Sequence, residues 1–595
     1  MNTPATPNSP STPIPMPPPK RAHGRSLADF GNLHPAEKIL LEKCAIGAAA
    51  TIGNGVPADG SDRFKIVRAS FLRFLLLGGD EQAPVHEQGV QLFGAWIQGE
   101  LNLENCHVPH RMALSECKFD EPIIAIDAHI AGLLFLSGSH LQKGLSADRL
   151  RCDGGVFLRR GFRSSDTVCV SGAQIGGNLD CSGGQFASET GYALSADGAV
   201  IKGYVFLHKG FKATGEVWLL GTQIGGNLEC SGGQFEQKDG HSLCFDRSVI
   251  NGNVHLNKQF RATGTVRLLG TQIGGNLDCS GGQFSAHGLI IQSATIQSNL
   301  FLRDIADPVS IDANSARIGV LEDAPTAWAK GSILNGLVYK SLAGIAHTDA
   351  AHRIAWLKKQ RHEDLGEDKK KQGFRPQPWK QLQKVLCEMG HEADARLVGI
   401  AFEDQLRLAD RIGQITDISK AQNIIPIVRR QCLRGLHWLF GTLAGYGYRP
   451  MRLFMSVVVV WLFCAAVYWC LSLPPYNAIG PTDPVVYQHA KYATCTDKEK
   501  GNWMLCEALP AEYSTLSPLA YSLDILLPLV DLGQEKSWGP LVPTPERHFC
   551  VELFTFSPAH WVRLLNWFEI LYGWVASLLF VAIVSGMSRR SEMDK

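Results

Sequence analysis

The apolar positions of the central part of the chain repeat with a fixed period. Three near-identical segments begin at Gly172, Gly221 and Gly270, which sets the period at 49 residues. Each segment contains Ile-Gly-Gly-Asn-Leu, and a looser copy of this pattern starts at Ile201 and again at Ile250. One 49-residue unit is therefore two coils. A repeat of this kind predicts a stacked array in which each coil packs on its neighbours.

Inside a coil, apolar and polar residues alternate as they do in β-strands. Val205 and Leu207 flank Phe206, and the pattern recurs at Val217. The runs are short, glycine interrupts them every few residues, and they lack a helical period. We therefore predict a mainly β fold with added helices, in which residues 90–325 form a right-handed parallel β-helix, here called the solenoid.

Segments with helical periodicity flank the predicted solenoid. Residues 31–89 contain a helix start at Ser61-Asp62 and predict a helical cap over the first coil, whose edge would otherwise pair with other chains. The helical periodicity of residues 326–450 predicts a linker followed by a helical hairpin. Residues 1–30 are rich in proline and predict a disordered tail without a signal peptide.

Two apolar stretches near the C-terminus are long enough to cross a membrane. We predict transmembrane helices at 451–474 and 567–588, because about twenty apolar residues span the hydrocarbon core. Arginines precede the first helix and follow the second. The positive-inside rule then places both termini, the solenoid and the tail 589–595 in the cytoplasm, and the loop domain 475–566 on the other side.

Composition and motifs limit the classes of function that we consider for this protein. The 595-residue chain has a net charge of +1 and contains no aromatic-basic module, which argues against nucleic-acid binding. The sequence offers no Gly-x-Gly-x-x-Gly and no Cys-x-x-Cys motif, so we assign no catalytic, cofactor-binding or metal-binding residue. An enzymatic activity is left undecided, with the sequence leaning against one.

The cysteines fall into two groups. Cys181, Cys230 and Cys279 recur once per 49-residue unit, two coils apart, which is about 9.6 Å and too far for a disulfide. We expect them to pack in the core. Cys495 and Cys506 lie in the predicted external loop and could close a disulfide in an oxidising compartment.

Several motifs are spread over nearly the whole chain, namely Val67-Arg-Ala, Leu92-Phe-Gly-Ala-Trp-Ile-Gln-Gly99, the Ile-Gly-Gly-Asn-Leu-Asp-Cys repeats, Arg375-Pro-Gln-Pro-Trp379, Tyr521-Ser-Leu-Asp-Ile-Leu-Leu-Pro-Leu-Val-Asp-Leu532 and Gly573-Trp574. In these motifs the chain resembles a bacterial family of membrane-anchored β-solenoid repeat proteins, some of which are labelled membrane-associated oxidoreductase. This resemblance implies an inner-membrane location with two spans, and it transfers no catalytic residue.

Basic residues recur at two fixed positions of the double-coil repeat, beside a recurring phenylalanine. They predict a stripe of one charge sign that could dock an acidic protein or anionic headgroups. The alternative is a solvated surface. We call this stripe the basic edge, and its members are Arg160, Arg163, Lys209, Lys212, Lys258 and Arg261. A second column, expected to face outward on the neighbouring sheet, is acidic and contains Asp180, Glu229 and Asp278.

An apolar stretch in the external loop, Leu516–Leu532, contains Asp524 and Asp531. It is short for a third crossing, so we expect an interfacial helix, with a re-entrant segment as the alternative. The favoured hypothesis is a membrane-anchored scaffold or sensor whose solenoid docks a protein or anionic partner. The alternatives are a two-span oligomeric channel gated by the solenoid and, by family label alone, an oxidoreductase. The expected partners are the lipid bilayer and a possible second copy of the chain.

Overall fold

A computed structural model describes residues 25–58, 63–237, 240–285, 288–324, 326–360, 374–409, 411–412, 424–496, 502–509, 513–542 and 557–585. The chain divides into two compact units, Met1–Val398 and Gly399–Lys595. The first unit is the predicted β-solenoid, a parallel array of about eleven turns. The predicted tail and the predicted helix start at Ser61-Asp62 fall largely or wholly outside the described residues.

Each coil contributes four short strands, which stack coil upon coil into four columns. Columns 1 and 2 form one sheet, and columns 3 and 4 form the other. Column 1 contains His107–Val108, His129–Ile130, Arg151–Cys152, Gln174–Ile175, Val200–Ile201, Gln223–Ile224, Val249–Ile250 and Gln272–Ile273. Column 2 contains Ala50–Thr51, Val90–Phe93, Met112–Ser115, Leu134–Phe135, Val156–Phe157, Leu179–Asp180, Val205–Phe206, Leu228–Glu229, Val254–His255 and Leu277–Asp278. Three longer strands run through both columns, namely Thr295–Leu302, Arg317–Asp323 and Val338–Leu342.

The second sheet is built in the same way. Column 3 contains Ile66–Arg68, Trp96–Gln98, Lys118–Phe119, His140–Leu141, Arg163–Ser164, Gln234–Glu236 and Arg261–Ala262. Column 4 contains Leu101–Asn102, Ile123–Ile124, Leu145–Ser146, Val168–Cys169, His241–Cys244, Thr265–Arg267, Leu289–Ile290 and Ile311–Asp312. The strands that run through both of these columns are Gln185–Ser195 and Lys212–Trp218.

The repeated motif supplies what the stacking needs. Leu228 points inward and is fully buried, whereas its neighbour Glu229 is partly exposed. A Cβ on Gly225 would lie 2.1 Å from the Lys202 carbonyl oxygen of the preceding coil, so this position requires glycine. The Asn227 side chain accepts a hydrogen bond of 2.9 Å from the next coil's backbone. Coil-to-coil contact therefore explains Gly, Asn and Leu in the motif.

Phenylalanine forms a continuous ladder inside the solenoid. Rings from six successive coils stack with centroid separations of 5.2–5.4 Å. Both coils of each 49-residue unit contribute a ring to this ladder. The members are Phe162, Phe186, Phe211, Phe235, Phe260 and Phe284.

Both ends of the solenoid differ from the predicted boundaries. The cap contains helices α1 (Pro35–Ala45) and α2 (Ala69–Leu76), but Ile66–Arg68, expected to be helical, is a strand that pairs with Trp96–Gln98. The cap thus continues the sheets instead of only covering them. At the other end the array extends beyond residue 325 to the strand Val338–Leu342.

Helices close the far end of the first unit. They are α3 (Ala350–Leu357), α4 (Gln377–Glu388) and the first part of α5 (Glu392–Leu408), which continues into the second unit. The predicted hairpin is formed by α4 and α5 around Gly390, whose φ is +83°. The Gln381 side chain in α4 donates a hydrogen bond of 2.8 Å to the carbonyl of Tyr339, so α4 packs on the last strand.

The second unit is helical. In chain order it contains α6 (Ile424–Ala444), α7 (Pro450–Ser472), α8 (Pro484–Gln488), α9 (Pro518–Leu526), α10 (Gln534–Ser537) and α11 (Pro558–Val584). Helices α7 and α11 are long and apolar enough to cross a membrane, with mean hydropathies of 2.3 and 1.9. Helix α11 begins before the predicted position 567, because Ser557 and Pro558 provide a favourable helix start.

The segment between α7 and α11 shares one buried core with both helices, through Cys464 and Tyr468 of α7 and Ala559 and Val562 of α11. Two short strands, Ile479–Pro481 and Trp538–Pro540, pair antiparallel. Cys495 and Cys506 form the disulfide that the sequence allows, with a Cα–Cα distance of 5.6 Å. Trp503 and Trp538 are buried beside them.

Candidate functional site

Residues 517–535 form a hairpin of one short helix and an irregular return segment, here called the apolar hairpin. Its two arms are joined by polar contacts. The backbone N–H of Ser517 donates to the Gln534 side chain at 3.1 Å. The Asp524 carboxylate accepts hydrogen bonds from the backbone N–H groups of Leu532 (2.6 Å) and Glu535 (2.9 Å). These contacts fix the return segment against α9.

The apolar hairpin lies against the middle of both long helices. Trp461 is the twelfth of the 23 residues of α7, and its indole N–H donates to the Leu519 carbonyl at 2.9 Å. The Ser522 hydroxyl lies 3.0 Å from the Trp461 carbonyl oxygen. On the other side, a Cβ added to Gly573 in α11 would come within 1.8 Å of the Leu526 carbonyl oxygen. The apolar hairpin therefore contacts α7 and α11 near their middles.

The return segment 527–533 is not helical, and its tip is apolar. Leu529 is 92% exposed, the highest exposure among the large apolar residues described. Within the described parts of the chain, the carbonyl oxygens of Pro528, Leu529 and Val530 accept no hydrogen bond. An uncovered apolar tip with free carbonyl groups thus lies beside the centre of two helices that could span a membrane.

A buried carboxyl that the sequence analysis did not single out lies beside the hairpin. Glu569 in α11 is completely buried, and the Tyr468 hydroxyl donates to it at 2.7 Å. The Ser522 hydroxyl contacts its other oxygen. In the sequence, Glu569 is the one acidic residue of the apolar run Trp567-Phe-Glu-Ile-Leu571. This run lies at the edge of the predicted span 567–588.

The two predicted carboxylates of this region have different environments. Asp524 is buried and its oxygens receive the two backbone hydrogen bonds described above. Asp531 is exposed, forms an ion pair with Lys536 and accepts a hydrogen bond of 3.0 Å from the Gly533 N–H. The structure therefore brings Asp524, but not Asp531, into the packed interior of the hairpin.

The residues of the basic edge occupy two rows on the solenoid surface. In column 3, Arg163, Lys212 and Arg261 take the outward position of every second coil, and Gln185 and Gln234 take it in the coils between. Five members of the edge are exposed, and Lys212 is partly exposed and forms an ion pair of 3.0 Å with Glu236. The register of the strands thus supports the predicted stripe.

The other row lies at a corner with an unusual backbone. Arg160, Lys209 and Lys258 have φ angles of +53°, +51° and +50°, in the left-handed region. The coils between them carry Gly183 and Gly232 at the same corner, with φ of +66° and +69°. A side chain longer than that of glycine costs about 1 kcal/mol in this conformation. Glycine is the favourable residue at this corner, but non-glycine residues are common there, since Glu116 and Asp304 have φ of +49° and +53° at the same corner of other coils.

The expected acidic column is only partly an open surface. Asp180 is buried and pairs with Arg159 at 2.8 Å. Burial raises the pKa of Asp180, but hydrogen bonds from Ser182 and Arg159 outweigh it, so the pKa lies below its usual value. Glu229 and Asp278 flank His255 at 3.6 Å and 4.0 Å. These carboxylates are engaged by neighbouring coils.

The recurring cysteines pack in the core, as expected. Cys181, Cys230 and Cys279 are fully buried, and burial raises the pKa of each thiol well above its usual value. A different group has the composition of a metal site. His347, Asp349 and His352 have their ligand atoms within 4.8 Å of one another, and they form the one such group among the residues that the structure describes.

We compared the chain with protein-family models, with curated proteins and with solved structures. No family model, curated protein or solved structure matches it.

Proposed function

We propose that the chain is the subunit of an oligomeric membrane channel whose pore is lined by the apolar hairpin. The observation that carries this proposal is the position of the hairpin, with Leu519–Leu526 packed between the middles of α7 and α11. A short helix that enters between two spanning helices and returns as irregular chain is an arrangement suited to lining a pore.

The environment of the return segment supports an oligomer. In hydrocarbon each unpaired backbone polar group costs several kcal/mol, so irregular backbone occurs at membrane depth only where protein covers it or water reaches it. A single copy leaves Leu529 and the carbonyl groups of Pro528, Leu529 and Val530 uncovered. Further copies of the chain, arranged around a water-filled axis, would place Leu529 and these carbonyl groups at the axis, where water reaches them.

The proposed location is the bacterial inner membrane, with both termini in the cytoplasm. Arg449 and Arg452 lie at the start of α7, and Arg589-Arg590 follow α11 in the sequence, which favours a cytoplasmic side for these ends. The disulfide between Cys495 and Cys506 lies on the segment that joins the two helices. An oxidising periplasm is the compartment in which such a bond persists.

Ion flux through proteoliposomes that contain the full chain tests the proposal. We would place a cysteine at Leu529 in a background with Cys387, Cys432, Cys470 and Cys550 replaced by Ser, and then add a charged thiol reagent. The wild-type chain should conduct, and the reagent should block Leu529→Cys because the modified side chain lies in the water-filled pathway.

The matched control is Leu578→Cys, an exposed apolar position of α11 away from the hairpin. The proposal expects no block there, because that side chain faces lipid. A wild-type chain that carries no flux, a monomeric native mass in detergent, or equal block at both positions would each contradict the channel.

A second candidate function, docking of an anionic partner by the solenoid, is favoured by the basic edge. Arg160, Lys209 and Lys258 place one sign of charge at the same corner of alternate coils, with Gly183 and Gly232 in the coils between them. The charge reversal described in the Discussion tests this function.

A further inference from the structure

A compact group of two imidazoles and one carboxylate lies at the far end of the solenoid unit, at the start of α3. His347 Nδ1 is 3.2 Å from one oxygen of Asp349, and His352 Nδ1 is 2.7 Å from the other. The two imidazole rings stack with their centroids 4.1 Å apart. Both ring nitrogens therefore point at one carboxylate, from the same side.

We propose that His347, Asp349 and His352 form a binding site for a divalent transition metal, with Zn²⁺ as the fitting ion. Zinc prefers imidazole nitrogen and carboxylate oxygen ligands at about 2.0–2.2 Å, which places neighbouring ligand atoms of a tetrahedral site roughly 3.3 Å apart. The 3.2 Å between His347 Nδ1 and Asp349 is already close to this value. His352 Nδ1 lies 2.7 and 2.9 Å from the two oxygens of Asp349, and a bound metal would replace this hydrogen-bond contact. Small side-chain rotations would bring all three atoms onto one ion.

The backbone holds the ligands in place without the metal. Asp349 is the N-cap of α3 and accepts a hydrogen bond from the His352 backbone N–H, so both residues are fixed by the start of the helix. The carbonyl of His347 accepts a hydrogen bond of 2.5 Å from the side chain of Arg353. Such anchoring of a ligand by neighbouring hydrogen bonds is typical of metal sites.

Charge and access also suit a cation. The nearest cation in the sequence, Arg353, is buried and paired with Asp323 at 2.7 Å. The three ligand side chains are 43–53% exposed, so an ion can enter and keep water as its fourth ligand.

The experiment measures bound metal in the full chain purified in detergent. After chelation and removal of free metal, ZnCl₂ is added, unbound zinc is removed, and zinc per chain is determined by mass spectrometry. The His347→Ala, His352→Ala double variant should bind one equivalent less than the wild-type chain. Asp349→Asn keeps an acceptor for the helix cap but removes the charge, and it should also lose this equivalent.

A second histidine pair provides the control. The Nδ1 atoms of His107 and His129 lie 3.0 Å apart on column 1 of the solenoid. Among the described residues, these two histidines form no group of three ligand atoms with a carboxylate. Their double replacement by Ala should leave the bound zinc unchanged. Co²⁺ should give a visible spectrum with the wild-type chain and not with the His347→Ala, His352→Ala variant. Equal zinc in that variant and the wild type, or no zinc in either, would overturn the proposal.

Discussion

In the solenoid, Leu179, Leu228 and Leu277 occupy one inward position in successive double coils, and the same contacts form at each. In the helical unit, the close approach of Gly573 to Leu526 and the buried contact of Glu569 with Tyr468 each occur once. Both regions have buried contacts, but only in the solenoid does the same contact recur from one double coil to the next.

This difference shows where functional residues are to be sought. A repeated contact is explained by stacking alone, because every coil needs it. A residue that breaks the repeat, or that lies in a region without one, needs an explanation of its own. Leu529, Glu569 and the group around Asp349 belong to this second class.

The largest effect is expected from a charge placed in the repeated core. Leu228→Asp buries a carboxylate without a partner between two coils, which should destabilise the solenoid by about 3–5 kcal/mol. Glu229→Lys, one residue along and partly exposed, should change stability by roughly 0.5 kcal/mol. Thermal unfolding of the full chain in detergent measures both. Equal shifts would mean that the inward and outward positions are assigned wrongly.

A smaller effect is expected in the helical unit. Gly573→Ala adds a methyl group where the Leu526 carbonyl oxygen would be 1.8 Å away, so α9 must move. We expect a destabilisation of about 1–3 kcal/mol, typical of overpacking, together with altered ion flux. Gly435→Ala in α6 is the control, because a Cβ there meets nothing within 4 Å. A flux and unfolding temperature unchanged in Gly573→Ala would argue that the hairpin packs elsewhere.

The smallest effect on stability is expected at the solenoid surface. Replacing Lys209, Lys212, Lys258 and Arg261 by Glu should leave folding intact, but lower the salt concentration at which the chain elutes from an immobilised polyanion. Exposed charges act over a screening length of about 8 Å at physiological ionic strength, so salt should weaken the wild-type interaction.

The control for this reversal changes the same number of charges on other exposed solenoid positions, namely Lys202, Arg247, Arg317 and Lys340. If the basic edge docks an anionic partner, the control should elute at a salt concentration close to that of the wild-type chain. If both variants elute alike, net charge alone governs the interaction, and the basic edge is a solvated surface.

Much of the fold could be predicted because the spacing of the repeated motif gives the length of a coil directly. The structure of the cap was harder to predict. Ile66 and Val67 have an apolar pattern compatible with a helix, and only pairing with Trp96–Gln98, 30 residues away, makes them a strand. The position of the apolar hairpin along α7 and α11 also depends on contacts with Trp461 and Gly573. Both residues are distant from the hairpin in the sequence, and no local pattern identifies them as its partners.

The candidate sites show the same division. The basic edge could be found from the sequence because its residues share a repeat position. Glu569 lies in a span with no second acidic residue to draw attention to it. His347, Asp349 and His352 were missed because their spacing matches no familiar metal motif, and the turn before α3 is what brings them together.

The alternation of glycine and cation at one corner gives the solenoid surface twice the period of its backbone. The backbone ladder repeats at about 4.8 Å, but the charges recur at about 9.6 Å. An anionic partner of the proposed kind that shifted along the edge by one coil would meet Gly183 or Gly232 in place of a cation, so its favourable positions would recur every two coils. Duplication of a whole 49-residue unit would add one such step, whereas insertion of a single coil would put the two halves of the stripe out of phase.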